Sequence, residues 1–145
     1  MKDEYDLSNL DYIYISHIHP DHFDPKTMER VDNSTPVLIH HYHQPFLKKN
    51  IERLGFNVME LDNGSSFDVS DTTRITIYAA DNCDPSICGN MFGCVDKDIN
   101  GSMQLDSLCV IEDDEFTLLN TNDCPYEIAE QSLTEVKKKY KKIDF

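Results

Sequence analysis

The chain contains no apolar run approaching the ~18 residues that a membrane-spanning helix needs. Its opening, MKDEYDLSNL, is too acidic and polar for a secretory signal. A cytoplasmic protein without a transmembrane segment is therefore expected. Basic residues are scarce: 13 Lys+Arg stand against 27 Asp+Glu, a formal net charge of −14. Five of the 13 fall in Lys137–Lys142, which leaves the first 136 residues with 8 basic and 26 acidic groups. A surface of that sign repels phosphate backbones, so nucleic acid is not an expected partner, and it tolerates bound cations. Paired CxxC motifs are also missing. The five cysteines, Cys83, Cys88, Cys94, Cys109 and Cys124, form an odd set that reads as reduced thiols. Cys83, Cys88 and Cys94 lie close enough to raise a thiolate metal site, but zinc ribbons and fingers show tighter pairs and a fourth ligand nearby.

No repeat, low-complexity tract or linker divides the chain. A length of 145 residues suits one domain spanning 1–145, with a real hydrophobic core. Hydrophobic residues at 39% and charged residues at 28% are ordinary for a folded domain and exclude disorder as the dominant state.

Hydrophobic patterning sets the order of elements. Asp11–Ser16 (DYIYIS) reads as a buried strand that ends in a polar cluster. Pro25–Val31 follows Asp24 as a short helix, with Asp24 at the N-cap and proline at the first helical position. Pro36–Ile39 is a second buried strand. Phe46–Leu54 is a helix that puts Phe46, Leu47, Ile51 and Leu54 on one face and ends at Gly55. Asn57–Leu61 is a third strand, followed by a turn at Asn63-Gly64. Phe67–Val69, Arg74–Ala79, Leu108–Ile111 and Phe116–Leu119 read as further strands, with the acidic Glu112–Glu115 as a hairpin tip. Tyr126–Tyr140 is the longest helix, with Ile128, Leu133, Val136 and Tyr140 facing inward and lysines at its negative end. Ile143–Phe145 looks like the start of another strand. A βαβαβ unit followed by a β-meander and a helix makes an α/β, layered α+β domain. Asp81–Gln104 is a long loop rich in Gly, Asp, Asn and Cys, a length usually reserved for function.

The densest chemistry lies at Ser16-His17-Ile18-His19-Pro20-Asp21-His22, directly after the first strand. On extended backbone His17 and His19 point to the same side, because strand periodicity is two. Asp21 and His22 follow on the turn toward the next helix and can face the same cavity. Imidazoles at i and i+2 with a carboxylate and a further imidazole match the ligands that zinc or iron accepts. The carboxyl end of a strand is where open α/β sheets collect their sites. The bland alternative is a polar loop whose histidines cap backbone groups.

The pattern His17-x-His19-x-Asp21-His22 after a hydrophobic strand resembles the HxHxDH motif of the metallo-β-lactamase-fold metal-dependent hydrolases. The wording YISHIHPDHFDP together with LLNTNDCP is closest to the branch of CMP-N-acetylneuraminate hydroxylase-like and N-acyl-phosphatidylethanolamine phospholipase D-like proteins. The resemblance runs from about Asp11 to Phe145. It implies a partial αββα sandwich, a mixed sheet with helices packed on it, incomplete at both ends. It also implies His17 and His19 as ligands of one metal, Asp21 and His22 as ligands of a second, and Asp123 as the carboxylate bridging both. One or two zinc ions are expected, with iron or manganese as alternatives.

The sequence departs from the family pattern at three places. No histidine follows His43 to supply the family's middle ligand, and the equivalent stretch reads Tyr78-Ala79-Ala80-Asp81-Asn82-Cys83-Asp84. Asp81 or Asp84 would substitute as an oxygen ligand, or Cys83 as a thiolate, and each would shift the metal preference. The family's final histidine and the strands that precede the motif fall outside these 145 residues. Missing chain segments or a homo-oligomer are the expected partners.

His40, His41 and His43 follow the second strand and read either as exposed loop imidazoles or, His40 foremost, as contacts to ligand or substrate. Asp24 reads equally as a helix cap or as a hydrogen-bond acceptor for a ligand imidazole. Tyr5, Tyr12, Tyr14 and Tyr42 read as packing residues. No Ser or Cys nucleophile with a partner base is visible. Direct attack by a metal-bound hydroxide is therefore expected, with Asp21 as catalytic proton acceptor, and the resemblance implies an ester, phosphodiester or amide-type bond as its target. A small-molecule, lipid or sugar-type substrate is expected. A catalytically degenerate or fragmentary module with a binding or structural role is the alternative. Rieske-type redox chemistry finds no support in the spacing of Cys and His.

Overall fold

The computed structural model describes residues 7, 9–42, 45–80, 106–124 and 126–145. The chain forms two compact units, one of residues 1–39 and 44–60, the other of residues 40–43 and 61–145.

The first unit is built on β1 (Ile13–Tyr14), α1 (Pro25–Met28), β2 (Val37–His40), α2 (Phe46–Arg53) and β3 (Val58–Leu61), the expected βαβαβ order. β1 and β2 are parallel, with Ile13 opposite Val37 and Tyr14 opposite Leu38, and the sheet order is β1-β2-β3. All four residues of β2 are buried, the signature of a parallel strand covered on both faces. The expected strand over Asp11–Ser16 is paired as a ladder only at Ile13–Tyr14, although the Ile15 N–H still donates to the Leu38 carbonyl at 3.1 Å. Beyond that point the chain leaves the ladder and Ser16 and His17 turn inward, both buried.

Asp24 caps α1: its carboxylate accepts from the backbone N–H of Lys26 at 3.3 Å and of Thr27 at 3.1 Å, and from the Thr27 hydroxyl at 2.7 Å. Of its two sequence readings, the cap is the one the structure bears out. The Thr27 hydroxyl is the main cause of a carboxyl pKa held below the usual range. α2 buries Leu47 and Ile51. Phe46 corrects the expected face: it is 63% exposed. As the first residue of the helix it stands five residues before Ile51, about 140° round the helix from it, past the edge of the apolar stripe. Gly55 closes the helix at φ +91°, a left-handed conformation that suits glycine.

The second unit carries an antiparallel sheet in the order β4-β5-β6-β7, made of β4 (Ser66–Asp68), β5 (Arg74–Ala79), β6 (Ser107–Glu112) and β7 (Thr117–Asn120). Ile77 faces Cys109 across β5 and β6, and Val110 faces Leu119 across β6 and β7. The acidic tip lies one residue later than expected: Asp113 N–H donates to the Phe116 carbonyl at 2.9 Å, and β7 begins at Thr117.

Helix α3 (Tyr126–Lys139) lays Ala129, Val136 and Tyr140 on Tyr78, Ala80, Leu108, Val110 and Cys124, with Leu133 and Leu119 at the margin. Ser132, buried on the same helix, donates to the Ala79 carbonyl at 2.5 Å. The side chain of Ile128 lies outside the described residues. The tail runs beside β7, where Leu119 N–H donates to the Phe145 carbonyl and Asp144 N–H to the Thr117 carbonyl. No helix among the described residues is long and apolar enough to cross a membrane.

Candidate metal centre

The residues that carry the motif lie where β1 gives way to the first turn of irregular chain. After His19, the N–H groups of His22 and Phe23 both donate to the His19 carbonyl, at 2.9 and 2.8 Å. That single tight turn folds Pro20, Asp21 and His22 back over the strand end. Phe23 is buried and anchors the turn in the core.

The fold-back brings three imidazoles together. His17 is 2% exposed, His19 is exposed and His22 is half-buried. The His17 and His19 rings meet edge to face with centroids 4.4 Å apart, and the His17 and His22 rings lie 4.3 Å apart at a tilt of 39°. Nε2 of His17 is 2.8 Å from Nδ1 of His19. The Ser16 hydroxyl sits behind them, 3.0 Å from Nδ1 of His17 and 3.1 Å from Nδ1 of His22. Asp21 is exposed, with Oδ2 3.8 Å from Nε2 of His22.

This donor set suits a divalent cation. Two imidazole nitrogens bound to zinc at about 2.0–2.1 Å in tetrahedral geometry stand about 3.3–3.4 Å apart. Nε2 of His17 and Nδ1 of His19 would part by only about half an ångström to reach that spacing, a small rotation of either ring. The other ring nitrogen of His17 is hydrogen-bonded, as is usual for a metal-binding imidazole. The same-side geometry read from strand periodicity is therefore present at His17 and His19.

Asp123 belongs to the second unit and is exposed on the turn that follows β7. The turn is tied in three places. Asn122 N–H donates to the Asn120 side-chain oxygen at 3.0 Å, and Asn122 Nδ2 to the Ser107 carbonyl at 2.9 Å. Cys124 N–H donates to the Thr121 carbonyl at 3.0 Å. Asn122 has φ 48°, a left-handed conformation that asparagine tolerates better than most residues. Asp81, Cys83 and Asp84, the expected substitutes for the middle ligand, lie outside the described residues, as do Cys88, Cys94, His43 and Tyr5.

The histidines after β2 divide. His40 is not a loop residue: it ends the β2 ladder, is 2% exposed, and its Nδ1 donates to the Leu61 carbonyl at 3.1 Å. His41 is exposed, with Nδ1 2.9 Å from Asp62 Oδ1. Tyr42 is buried against the His40 ring, the packing role expected of it. Two features were not anticipated from sequence. One is the central place of Ser16, whose only sequence signal is its position directly before His17. The other is the buried carboxyl of Asp106, 5% exposed beside Cys124. Burial, reinforced by Asp106 and Asp123, pushes the Cys124 thiol pKa far up, so it remains neutral.

No protein-family profile matches the chain. A candidate Rieske 2Fe-2S iron-sulfur protein of Mycolicibacterium smegmatis is 36% identical over 72 residues, which are 49% of this chain and 12% of that protein. A Mycobacterium tuberculosis protein of the same description is 36% identical over 52 residues, 35% of this chain and 10% of its own length. Among solved structures, CmlA, a diiron β-hydroxylase from Streptomyces venezuelae, aligns with a TM-score of 0.61 at 19% identity, over 94% of this chain and 24% of its own. A candidate metal-dependent hydrolase from Veillonella parvula aligns with a TM-score of 0.66 at 16% identity, over 90% and 47%. Isothiocyanate hydrolase from Delia radicum gut bacteria aligns with a TM-score of 0.55 at 17% identity, over 86% and 46%. The chain thus spans about a tenth of these sequence relatives and a quarter to a half of these structural ones. At such identities the structural likeness speaks for the fold, and the chain carries part of a metallo-β-lactamase-like α/β fold.

Proposed function

We propose that the chain is the metal-binding portion of a metal-dependent hydrolase. The observation that carries this reading is the 2.8 Å approach of Nε2 of His17 to Nδ1 of His19 at a strand end, with His22 and Asp21 folded over them. His17 and His19 would hold one cation, Asp21 and His22 a second, and Asp123 would bridge them, an assignment that follows from the sequence resemblance. Asp81 is the proposed further ligand. Zinc is the proposed metal, with iron or manganese in its place.

When bound, such a cation makes water nucleophilic near neutral pH and polarises the oxygen of the scissile bond. The chain's own residues then have distinct tasks. Buried His17 and half-buried His22 fix the direction of the donor nitrogens from the inner side. Exposed His19 and Asp21 define the solvent face, where a substrate enters. The Asp21 carboxylate, open to solvent, accepts a proton from an incoming water at Oδ2. The proposed substrate is a small molecule of lipid or sugar type carrying an ester, phosphodiester or amide-type bond.

The test is hydrolysis of a panel of phosphodiester, thioester and lactone substrates by the zinc-loaded chain. Turnover that disappears in Asp21→Ala is expected, and its absence across the panel in the loaded protein would contradict a hydrolytic role. A second reading is favoured by the names of the relatives: two are described as iron–sulfur proteins and one as a diiron hydroxylase. On that reading the same side chains take iron in a larger redox protein. Preference for iron over zinc in competition, with no hydrolysis, would select it.

A further inference from the structure

Ser16 is 3% exposed, and its hydroxyl oxygen lies within hydrogen-bond distance of two imidazoles at once, 3.0 Å from Nδ1 of His17 and 3.1 Å from Nδ1 of His22. A serine hydroxyl has one proton and two acceptor lone pairs. It can therefore accept an N–H from both rings, or accept from one and donate to the other. The far sides of the rings decide between these arrangements. Nε2 of His17 points at Nδ1 of His19, 2.8 Å away, and a cation between them requires a lone pair on each. The single proton of neutral His17 must then sit on Nδ1, where it meets Ser16. His22 has the same polarity, with Nδ1 toward Ser16 and Nε2 on the side of Asp21. If His22 offers Nε2 to a cation, its proton also sits on Nδ1.

We propose that Ser16 is the positioning residue of this centre: its oxygen accepts Nδ1–H from both His17 and His22 and locks both rings in the tautomer that presents Nε2 as a donor. The assignment rests on the metal-binding reading above and deepens it. One buried hydroxyl thereby couples a ligand of the first cation to a ligand of the second. It also explains why a polar side chain stands buried at the end of β1, between Ile15 and His17. An apolar residue there would leave two ring N–H groups without this acceptor and free either ring to place its proton on Nε2, which cannot then bind a cation. Removing a group that hydrogen-bonds a metal-binding histidine costs on the order of 10–100-fold in metal affinity.

The test uses the full chain with 15N-labelled histidine, titrated with Zn2+ and followed by long-range 1H–15N spectra of the imidazoles, alongside zinc affinity by competition with a chelating dye. The zinc form is expected to show protonated Nδ1 and metal-shifted Nε2 in both His17 and His22. Ser16→Ala is expected to bind zinc on the order of 10–100-fold more weakly and to lose the uniform Nδ1–H pattern. Ser16→Thr, which keeps the hydroxyl, is expected to restore both. Unprotonated Nδ1 on His22 in the wild-type zinc form overturns the assignment, a result that needs no variant to fold. So does a Ser16→Ala protein with wild-type zinc affinity and ring shifts, which leaves the metal reading standing. A wild-type chain whose histidine shifts ignore Zn2+, Fe2+ and Mn2+ removes the metal reading, and the Ser16 assignment with it.

Discussion

Nε2 of His17 and Nδ1 of His19 face each other at 2.8 Å, although the two residues differ greatly in exposure, one buried and the other open to solvent. The pair sets a rigid inner donor against an accessible outer one. His17→Ala and His19→Ala should therefore each weaken zinc binding by more than the roughly 10–100-fold that follows loss of a supporting hydrogen bond. Only His17→Ala should also lower thermal stability clearly, since only it empties a buried position. Calorimetric titration paired with thermal melts measures both.

Asp24→Ala should lower the melting temperature by a few degrees and leave zinc affinity unchanged, because its carboxylate is engaged by Lys26 and Thr27 at the start of α1. Asp24→Asn, which keeps an acceptor, should melt close to wild type. A loss of zinc affinity in Asp24→Ala would restore the other role considered for it, as partner of a ligand imidazole.

The two ends of α2 should respond very differently. Ile51, with no exposed surface, should cost about 2–5 kcal/mol on truncation to alanine, through lost burial and an incompletely collapsed cavity. Phe46, 63% exposed, should stay within about 0.5 kcal/mol on the same change. Urea denaturation of the two variants measures the contrast.

Alkaline pH should destabilise the second unit in a defined window. Burial raises the Cys109 thiol from its ordinary 9.0 to about 12, and the Tyr78 hydroxyl from 10.0 to about 12. Both groups are neutral in either state well below pH 9, where their contribution to stability is intact. Above their ordinary values the unfolded chain loses protons that the folded chain keeps, so stability should fall steadily as pH rises toward about 12. Urea midpoints across that range test this, and Cys109→Ala should remove the thiol's share of the slope. For the same reason Cys109 and Cys124 should resist alkylation in the native chain at pH 8, as peptide mapping would show.

Much of this architecture can be read in the sequence because its signals are local. The buried run Val37–Ile39, the amphipathic spacing of Leu47 and Ile51, and Asp24 before Pro25 each follow from one-dimensional periodicity or capping. Phe46 misleads because a helical projection assigns a face without saying where the core ends. His40 misleads because polarity suggested a loop, whereas the strand continues through it and the Leu61 carbonyl satisfies its ring. The motif His17–His22 announces its ligands through residue type and spacing. Ser16 carries no periodic signal, and its importance emerges only from two distances, 3.0 and 3.1 Å, to rings one and six residues away.

The central claim is a cation site at the end of β1, and anomalous scattering tests it most directly. Crystals of the chain grown with zinc, measured on both sides of the zinc absorption edge, should give an anomalous difference peak about 2.0–2.1 Å from both Nε2 of His17 and Nδ1 of His19. A map with no peak between those two nitrogens at full zinc saturation, and with their hydrogen bond intact, would contradict it.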